Sequence, residues 1–259
     1  MSIATKPAIL ALAIPALSAC FFGSAWADEP TCFYESRSGD TNNIECATYH
    51  SEISNTRAFV ETVVKRGKWT KRNLQPVIID VRSTPEYKAG HPEHSYNVPY
   101  PFIYQTCNDV GEAGSADDRT PDGACRSGGD RISQPDQDFV DYVESIIPNK
   151  DTPIYTMCRT GVRSVGAANR LEEAGYTNVR NMWEGFVGVY LKAPLYVRDE
   201  NGEPVLPLET VDMPVDVNHD GALTDEDKNG WRYHLELPYD TRLLPPLIYK
   251  PRADTYAWD

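Results

Sequence analysis

The sequence predicts an α/β fold with a mainly parallel central sheet flanked by helices. Two short, almost wholly apolar runs, PVIIDV at 76–81 and TPIYTM at 152–157, have the length and composition of strands covered on both faces. Segments with apolar residues at helical spacing alternate with them, and that alternation is the signature of βα units rather than of hairpins.

Taken in order, residues 1–27 are set aside before the fold is read. Lys6 is their only charge, an apolar run follows from Pro7 to about Phe22, and Ala25-Trp26-Ala27 places small residues where a leader peptidase reads. The expectation is a cleaved signal peptide and a periplasmic or secreted protein. In the alternative, Leu17-Ser18-Ala19-Cys20 is a lipobox and Cys20 a lipid anchor. No later stretch has the ~20 apolar residues of a membrane helix. Residues 28–52 are polar. Over 55–68, Phe59, Val60, Val63 and Val64 recur at helical spacing; residues 96–98 suit a short strand. Residues 105–134 are rich in Gly, Asp and Ser, lack periodicity and read as an inserted surface loop. Regular structure resumes with a helix carrying Phe139, Val140, Val143, Ile146 and Ile147 and ended by Pro148. The second apolar strand follows, then a helix over 164–174 stopped by Gly175 and a strand over 178–182. The α/β domain is thus expected over 53–192, and the Pro-rich, acidic sequence of 193–259 is expected to be an irregular extension.

Charge narrows the function. With 38 acidic against 25 basic residues and a formal charge of −13, the chain lacks the basic face that nucleic-acid binding needs. Loss of the leader leaves Cys32, Cys46, Cys107, Cys125 and Cys158, an odd number for an oxidising compartment. Cys32/Cys46 and Cys107/Cys125 sit at short separation in polar, turn-rich sequence, whereas Cys158 ends an apolar run. The economical pairing is two local bridges with Cys158 free; the unpaired thiol is not fixed by sequence alone.

Chemistry concentrates at 157–164, M-C-R-T-G-V-R-S, between a strand and a helix. A loop there lies at the carboxyl end of a parallel strand and opens on a helix N-terminus whose N–H groups favour an anion. Cys158 in that position, with Arg159 and Arg163 beside it, is expected to have a depressed pKa and act as a nucleophile toward an anionic substrate. Arg163 follows Cys158 by five positions.

C-R-T-G-V-R-S resembles the active-site loop of the rhodanese-like sulfurtransferases; their phosphatase relatives use a loop one residue longer. The resemblance runs through Ile78-Ile79-Asp80-Val81-Arg82, Glu86-Tyr87-Lys88-Ala89-Gly90-His91 and Asn97-Val98-Pro99, and after the loop through Ala174-Gly175-Tyr176 and Trp183-Glu184-Gly185-Phe186. It implies a rhodanese-like fold and a two-step transfer: Cys158 takes the outer sulfur of a donor such as thiosulfate and passes it, as a persulfide, to a thiol or protein acceptor. It also implies that the loop of Thr160, Gly161, Val162 and Ser164 cradles that sulfur and that Arg159 or Arg163 binds the donor's sulfonate. Asp80 and Arg82 are expected to orient the loop, and His91 to be structural. His94 stands where the family usually has Gly, which puts the shape of that turn in question. No organic cofactor is implied. The competing class is a non-catalytic binding or scaffold protein. Dithiol redox chemistry is disfavoured because no C-x-x-C occurs.

A second motif spans 216–227, with Asp216, Asn218, Asp220 and Asp227 at positions 1, 3, 5 and 12, Gly221 at 6 and Ala222 offering a carbonyl at 7. It resembles an EF-hand loop of the dockerin type and implies a structural calcium. Insertion and extension are expected to narrow the mouth of the Cys158 site and to select the acceptor.

Overall fold

The computed structural model describes residues 47–69, 74–107, 119–126, 129–203 and 210–256. The leader, Cys20 and the Cys32/Cys46 pairing lie outside the described residues.

The domain begins at β1 (Ser51–Ile53), and Ser54 caps α1 (Asn55–Phe59), its hydroxyl accepting from the Arg57 N–H at 3.3 Å. The helical pattern of 55–68 continues only through a π-helical turn at Val60–Val64. The β-branched run Thr62-Val63-Val64 supports a longer helix poorly. Then come β2 (Val77–Asp80), α2 (Thr84–Lys88), β3 (His91–Pro92), β4 (Tyr96–Asn97), β5 (Phe102–Gln105) and β6 (Arg131–Ser133). The second half supplies α3 (Asp136–Ile146), β7 (Ile154–Met157), α4 (Arg163–Glu173) and β8 (Val179–Met182). Gly175, at φ +90°, turns the chain out of α4 as expected.

Five strands form the central sheet in the order β1-β8-β7-β2-β4, every neighbouring pair parallel. Both faces are covered, as the two apolar runs required. Ile79, Val81 and Ile154 pack with Phe139, Val143, Val165, Ala168 and Leu171 on one face. On the other, Ile78, Tyr155, Met157 and Met182 pack with Ile53, Ala58, Phe186 and Trp231.

Three features depart from the sequence reading. The polar segment before residue 53 contributes β1, so the sheet starts earlier than the expected domain boundary. Residues 102–105 and 131–133 form an antiparallel pair in which Gln105 faces Arg131, so the ends of the insertion are joined by main chain as well as by Cys107–Cys125. Finally, 193–259 is not irregular throughout. It holds the hairpin β9 (Lys192–Tyr196) and β10 (Thr210–Pro214), and β11 (Tyr239–Asp240), which pairs with β3. It also places Trp231, Ile248, Tyr249 and Tyr256 in the buried interior. His94 keeps its turn by adopting φ +63°, the conformation a Gly would take there. His91 is buried, stacked on Tyr87 at 3.7 Å, with Nδ1 2.9 Å from the Tyr87 carbonyl.

Candidate active site

Met157, the last residue of β7, pairs with Asp80 in β2, so the chain leaves the centre of the sheet directly into the loop that begins at Cys158. Cys158 is a free thiol with no exposed surface. Residues 159–162 turn the chain into α4, whose first N–H groups have no intrahelical carbonyl behind them. Gly161 has φ +84°, and a Cβ there would lie 2.1 Å from the Trp183 carbonyl oxygen, so this turn and the 183–185 segment fit only without a side chain.

The loop backbone is held from outside. Phe186 N–H donates to the Cys158 carbonyl at 2.8 Å, and Val187 and Gly188 N–H donate to the Arg159 carbonyl at 2.9 and 3.1 Å. Residues 185–189 are braced in turn by the extension: Asn229 N–H donates to Val189, Trp231 N–H to Gly185 and Arg232 N–H to Phe186, at 2.9–3.1 Å. On the other side, Glu184 accepts from the Asn55 N–H at the start of α1, and Asn55 Nδ2 donates to the Gly185 carbonyl at 2.7 Å. The extension is therefore part of the scaffold that shapes the Cys158 loop.

The Ser164 hydroxyl is 3.3 Å from Cys158 Sγ and 2.6 Å from Asn181 Oδ1, and Asn181 Nδ2 donates to the Gly161 carbonyl at 3.1 Å. A hydroxyl has one proton, so Ser164 gives it to Asn181 or, when the sulfur is anionic, to Sγ. Asn181, on β8, went unnoticed in the sequence because a lone Asn in a strand carries no motif. Val162 packs against the core and Thr160 is half-buried.

Both arginines of the loop have carboxylate partners. Arg163 donates to Glu86 through Nη2 at 2.6 Å and Nη1 at 3.0 Å, and Glu86 also accepts from the Ser83 N–H and hydroxyl as the capping box of α2. Burial opposes the charge on each partner. On Glu86 it is outweighed first by Arg163, and the carboxyl is held down at about 2. On Arg163 the Glu86 carboxylate prevails, with smaller help from Cys158 and Asp80, and its pKa is raised. Arg159 donates to Asp122 through Nε at 2.6 Å and Nη2 at 3.3 Å. Asp122 is 1% exposed and its carboxyl is kept low by Arg159 against the cost of burial. Sequence reading expected one of these guanidinium groups to meet the substrate's sulfonate; here Arg159 and Arg163 meet Asp122 and Glu86. Asp122 was missed because its role depends on the fold of the insertion, and Glu86 was noted only as a motif letter.

Asp80 and Arg82 form a bidentate pair with no exposed surface, Nη2 to Oδ2 being 2.6 Å. Their link to the loop is indirect: the Arg82 guanidinium lies 3.9 Å from the Phe186 ring centroid, and Phe186 N–H holds the Cys158 carbonyl.

The 216–227 motif folds as a turn closed on its own amides. Asp216 Oδ2 accepts from Gly221 N–H and Asp220 Oδ1 from Ala222 N–H, both at 2.8 Å; Asn218 Oδ1 accepts from Asp220 N–H at 3.1 Å. Asp227 accepts from Thr224 N–H and Val217 N–H, both at 2.8 Å, and these amides lower its carboxyl pKa. Among the described residues no three His, Cys, Asp or Glu side chains converge as a metal site. The Asp216 Oδ1 atom is buried without a partner, which is the one feature of the donor set that fits a cation.

A buried cysteine at the carboxyl end of a central parallel strand, in a six-residue loop ending on a helix N-terminus, defines an α/β protein organised around a thiol loop. Residues 64–192 match the rhodanese-like domain family, and the α/β unit is a rhodanese-like domain with sulfurtransferase-family homologues. The chain is 30% identical over 115 residues to the chloroplastic Rhodanese-like domain-containing protein 9 of Arabidopsis thaliana, covering 43% of this chain and 47% of that one. It is 27% identical over 126 residues to Thiosulfate sulfurtransferase 18 of the same plant, covering 49% and 74%. The match thus spans about half the length of the first relative. Among solved structures, Rv0390 from M. tuberculosis is 20% identical with a TM-score of 0.36, covering 75% of this chain and all of that one. Among the described residues no helix is long and apolar enough to cross a membrane.

Proposed function

We propose that the chain is an exported sulfurtransferase in which Cys158 takes a sulfane sulfur from a small anionic donor such as thiosulfate and hands it to a thiophilic acceptor. The observation that supports this best is the placement of Cys158: free, at the end of β7, with the Ser164 hydroxyl 3.3 Å from Sγ and the start of α4 behind it. Covalent catalysis needs such a nucleophile, and preorganised donors supply the stabilisation of the negative sulfur. The donor's inner sulfur leaves as sulfite with the electron pair of the broken S–S bond, and Cys158 keeps the outer sulfur. The Arg163–Glu86 pair holds the α4 end of the loop, and Arg159, released from Asp122, is the cation available to the donor. Incubation with thiosulfate should add one sulfur to the wild type and none to Cys158→Ser, read by intact mass. No gain on the wild type returns the chain to the binding or scaffold class.

Calcium is a second element of this reading, favoured by the orphaned Asp216 Oδ1. Asp216, Asn218, Asp220, the Ala222 carbonyl and Asp227 would hold it, and it would stiffen the turn that leads into the brace at Asn229–Arg232. A calcium-dependent rise in Tm, absent in Asp216→Asn, is the expected result; equal Tm in calcium and in chelator removes this element.

A further inference from the structure

The chain is acidic overall, yet residues 62–75 hold five basic residues and no acidic one. The described part of that stretch sits where the π-helical turn Val60–Val64 ends. Lys65, Arg66 and Lys68 are exposed, Val64 is 51% exposed and Trp69 is half-buried. None of the three cations has a carboxylate partner among the described residues. Of the acidic neighbours, Glu61 is taken by Arg57 and the Tyr155 hydroxyl, and Glu93, which lines a cleft with Arg66, forms no ion pair with it.

The cations are set on a turn held by its own hydrogen bonds. Lys65 N–H donates to the Val60 carbonyl at 2.9 Å, Arg66 N–H to Val63 at 3.2 Å and Lys68 N–H to Lys65 at 3.0 Å. Gly67 has φ +74° and its N–H reaches Gln75 Oε1 at 3.3 Å, while the Trp69 indole N–H closes the turn on the Glu61 carbonyl at 3.2 Å. Gln75 shortly precedes Val77, which pairs with Ile154; Cys158 follows Met157, at the other end of the same two strands. The basic turn and the thiol loop therefore lie at opposite ends of the sheet.

We propose that this turn docks the protein on a bilayer surface carrying anionic phospholipid headgroups, a reading independent of the sulfur chemistry. Unpartnered cations beside an exposed valine and an indole suit a lipid interface: the cations meet headgroup phosphates, and the lysine stems and the apolar atoms of Val64 and Trp69 enter the boundary beneath them. A nucleic acid calls for a longer basic stripe and offers nothing to Val64. The formal charge of −13 does not prevent the contact. At physiological salt, interactions are screened beyond ~8 Å, so the surface senses the turn rather than distant carboxylates. Docked this way, the protein keeps the Cys158 end away from the lipid.

Flotation of the full chain with vesicles tests this. Phosphatidylcholine vesicles containing phosphatidylglycerol should bind it more tightly than phosphatidylcholine alone, and salt at ~1 M, where the screening length is ~3 Å, should remove the difference. Each cation near such a surface is worth roughly fivefold in partition, so Lys65→Gln, Arg66→Gln and Lys68→Gln together should lose roughly 100-fold. Attachment through the apolar leader is common to both vesicles and both proteins and leaves these differences intact. Equal binding to the two vesicle types, indifference to salt, or a triple variant that binds as the wild type does overturns the proposal. So does retention on single-stranded RNA, through the same three cations, by a protein that ignores the vesicles.

Discussion

Arg159 donates to both carboxylate oxygens of Asp122, at 2.6 and 3.3 Å, and so ties the loop of Cys158 to the disulfide-closed insertion. The cation adjoining the thiol is neutralised by a carboxylate that an incoming anion must displace or tolerate. Asp122→Asn keeps the shape and removes the charge. Its expected effect is a fall in KM for thiosulfate of roughly fivefold, about 1 kcal/mol for an ion pair whose arginine is partly exposed. Steady-state kinetics decide it, and a KM that stays put or rises contradicts the role assigned to Asp122.

The insertion reaches Arg159 because its described part is pinned at several points. Cys125 is bonded to Cys107, Arg119 donates to the Gly123 and Gln105 carbonyls at 3.0 and 2.6 Å, and Arg232 donates to the Pro121 carbonyl at 3.3 Å. A bridge spanning 18 residues restricts the unfolded chain by about 3 kcal/mol. The double variant Cys107→Ser, Cys125→Ser should lose stability of that order in urea unfolding. Its KM for thiosulfate should move in the same direction as that of Asp122→Asn, since the segment carrying Asp122 is loosened. Full stability with an unchanged KM would show the insertion to be independent of the site.

The order of strands and helices was legible because residues 76–81 and 152–157 are apolar on both faces, a pattern that suits a covered parallel strand and is too short for a buried helix. Cys158 and the loop after it were legible because the motif is contiguous. What escaped was every partner brought in from a distance: Asp122 from the insertion, Asn181 from β8, Asn55 on Gly185 and the brace from Asn229–Arg232. None of these has a local pattern, since each is defined by a contact across tens of residues. The short strands β3, β5, β6 and β11 also escaped, being stabilised by pairing rather than by periodicity in their own sequence.

The Glu86–Arg163 pair makes the site acid-sensitive in a defined window. Glu86 has its ordinary pKa of 4.5 in the unfolded chain and about 2 in the fold, so the folded state favours the ionised form. Its contribution is complete above about pH 4.5 and is lost progressively as the pH falls toward 2. The shift corresponds to about 3 kcal/mol at neutral pH. Glu86→Gln should therefore be less stable than the wild type by about that amount at pH 7, with the gap closing between pH 4.5 and 2. Urea unfolding at several pH values measures it. A gap that is independent of pH would mean that Glu86 acts through packing or its bond to Ser83, not through its charge.

The extension's hold on the loop depends on one close approach. Gly230 lies against the backbone of Val187 and Gly188 so tightly that a Cβ would come 2.1 Å from both the Val187 carbonyl carbon and its oxygen. These are main-chain atoms that cannot rotate away, and Val187 N–H is itself bonded to the Arg159 carbonyl. Gly230→Ala must push 229–232 away from 185–189, which weakens the hydrogen bonds of Asn229, Trp231 and Arg232 and loosens Trp231 in the buried core. Overpacking of this kind costs about 1–3 kcal/mol. The expected outcome is a lower Tm together with slower sulfur loading of Cys158, because the displaced segment supports the loop from behind. Loading at the wild-type rate in a Gly230→Ala protein of reduced Tm would show that the brace stabilises the fold without shaping the thiol loop.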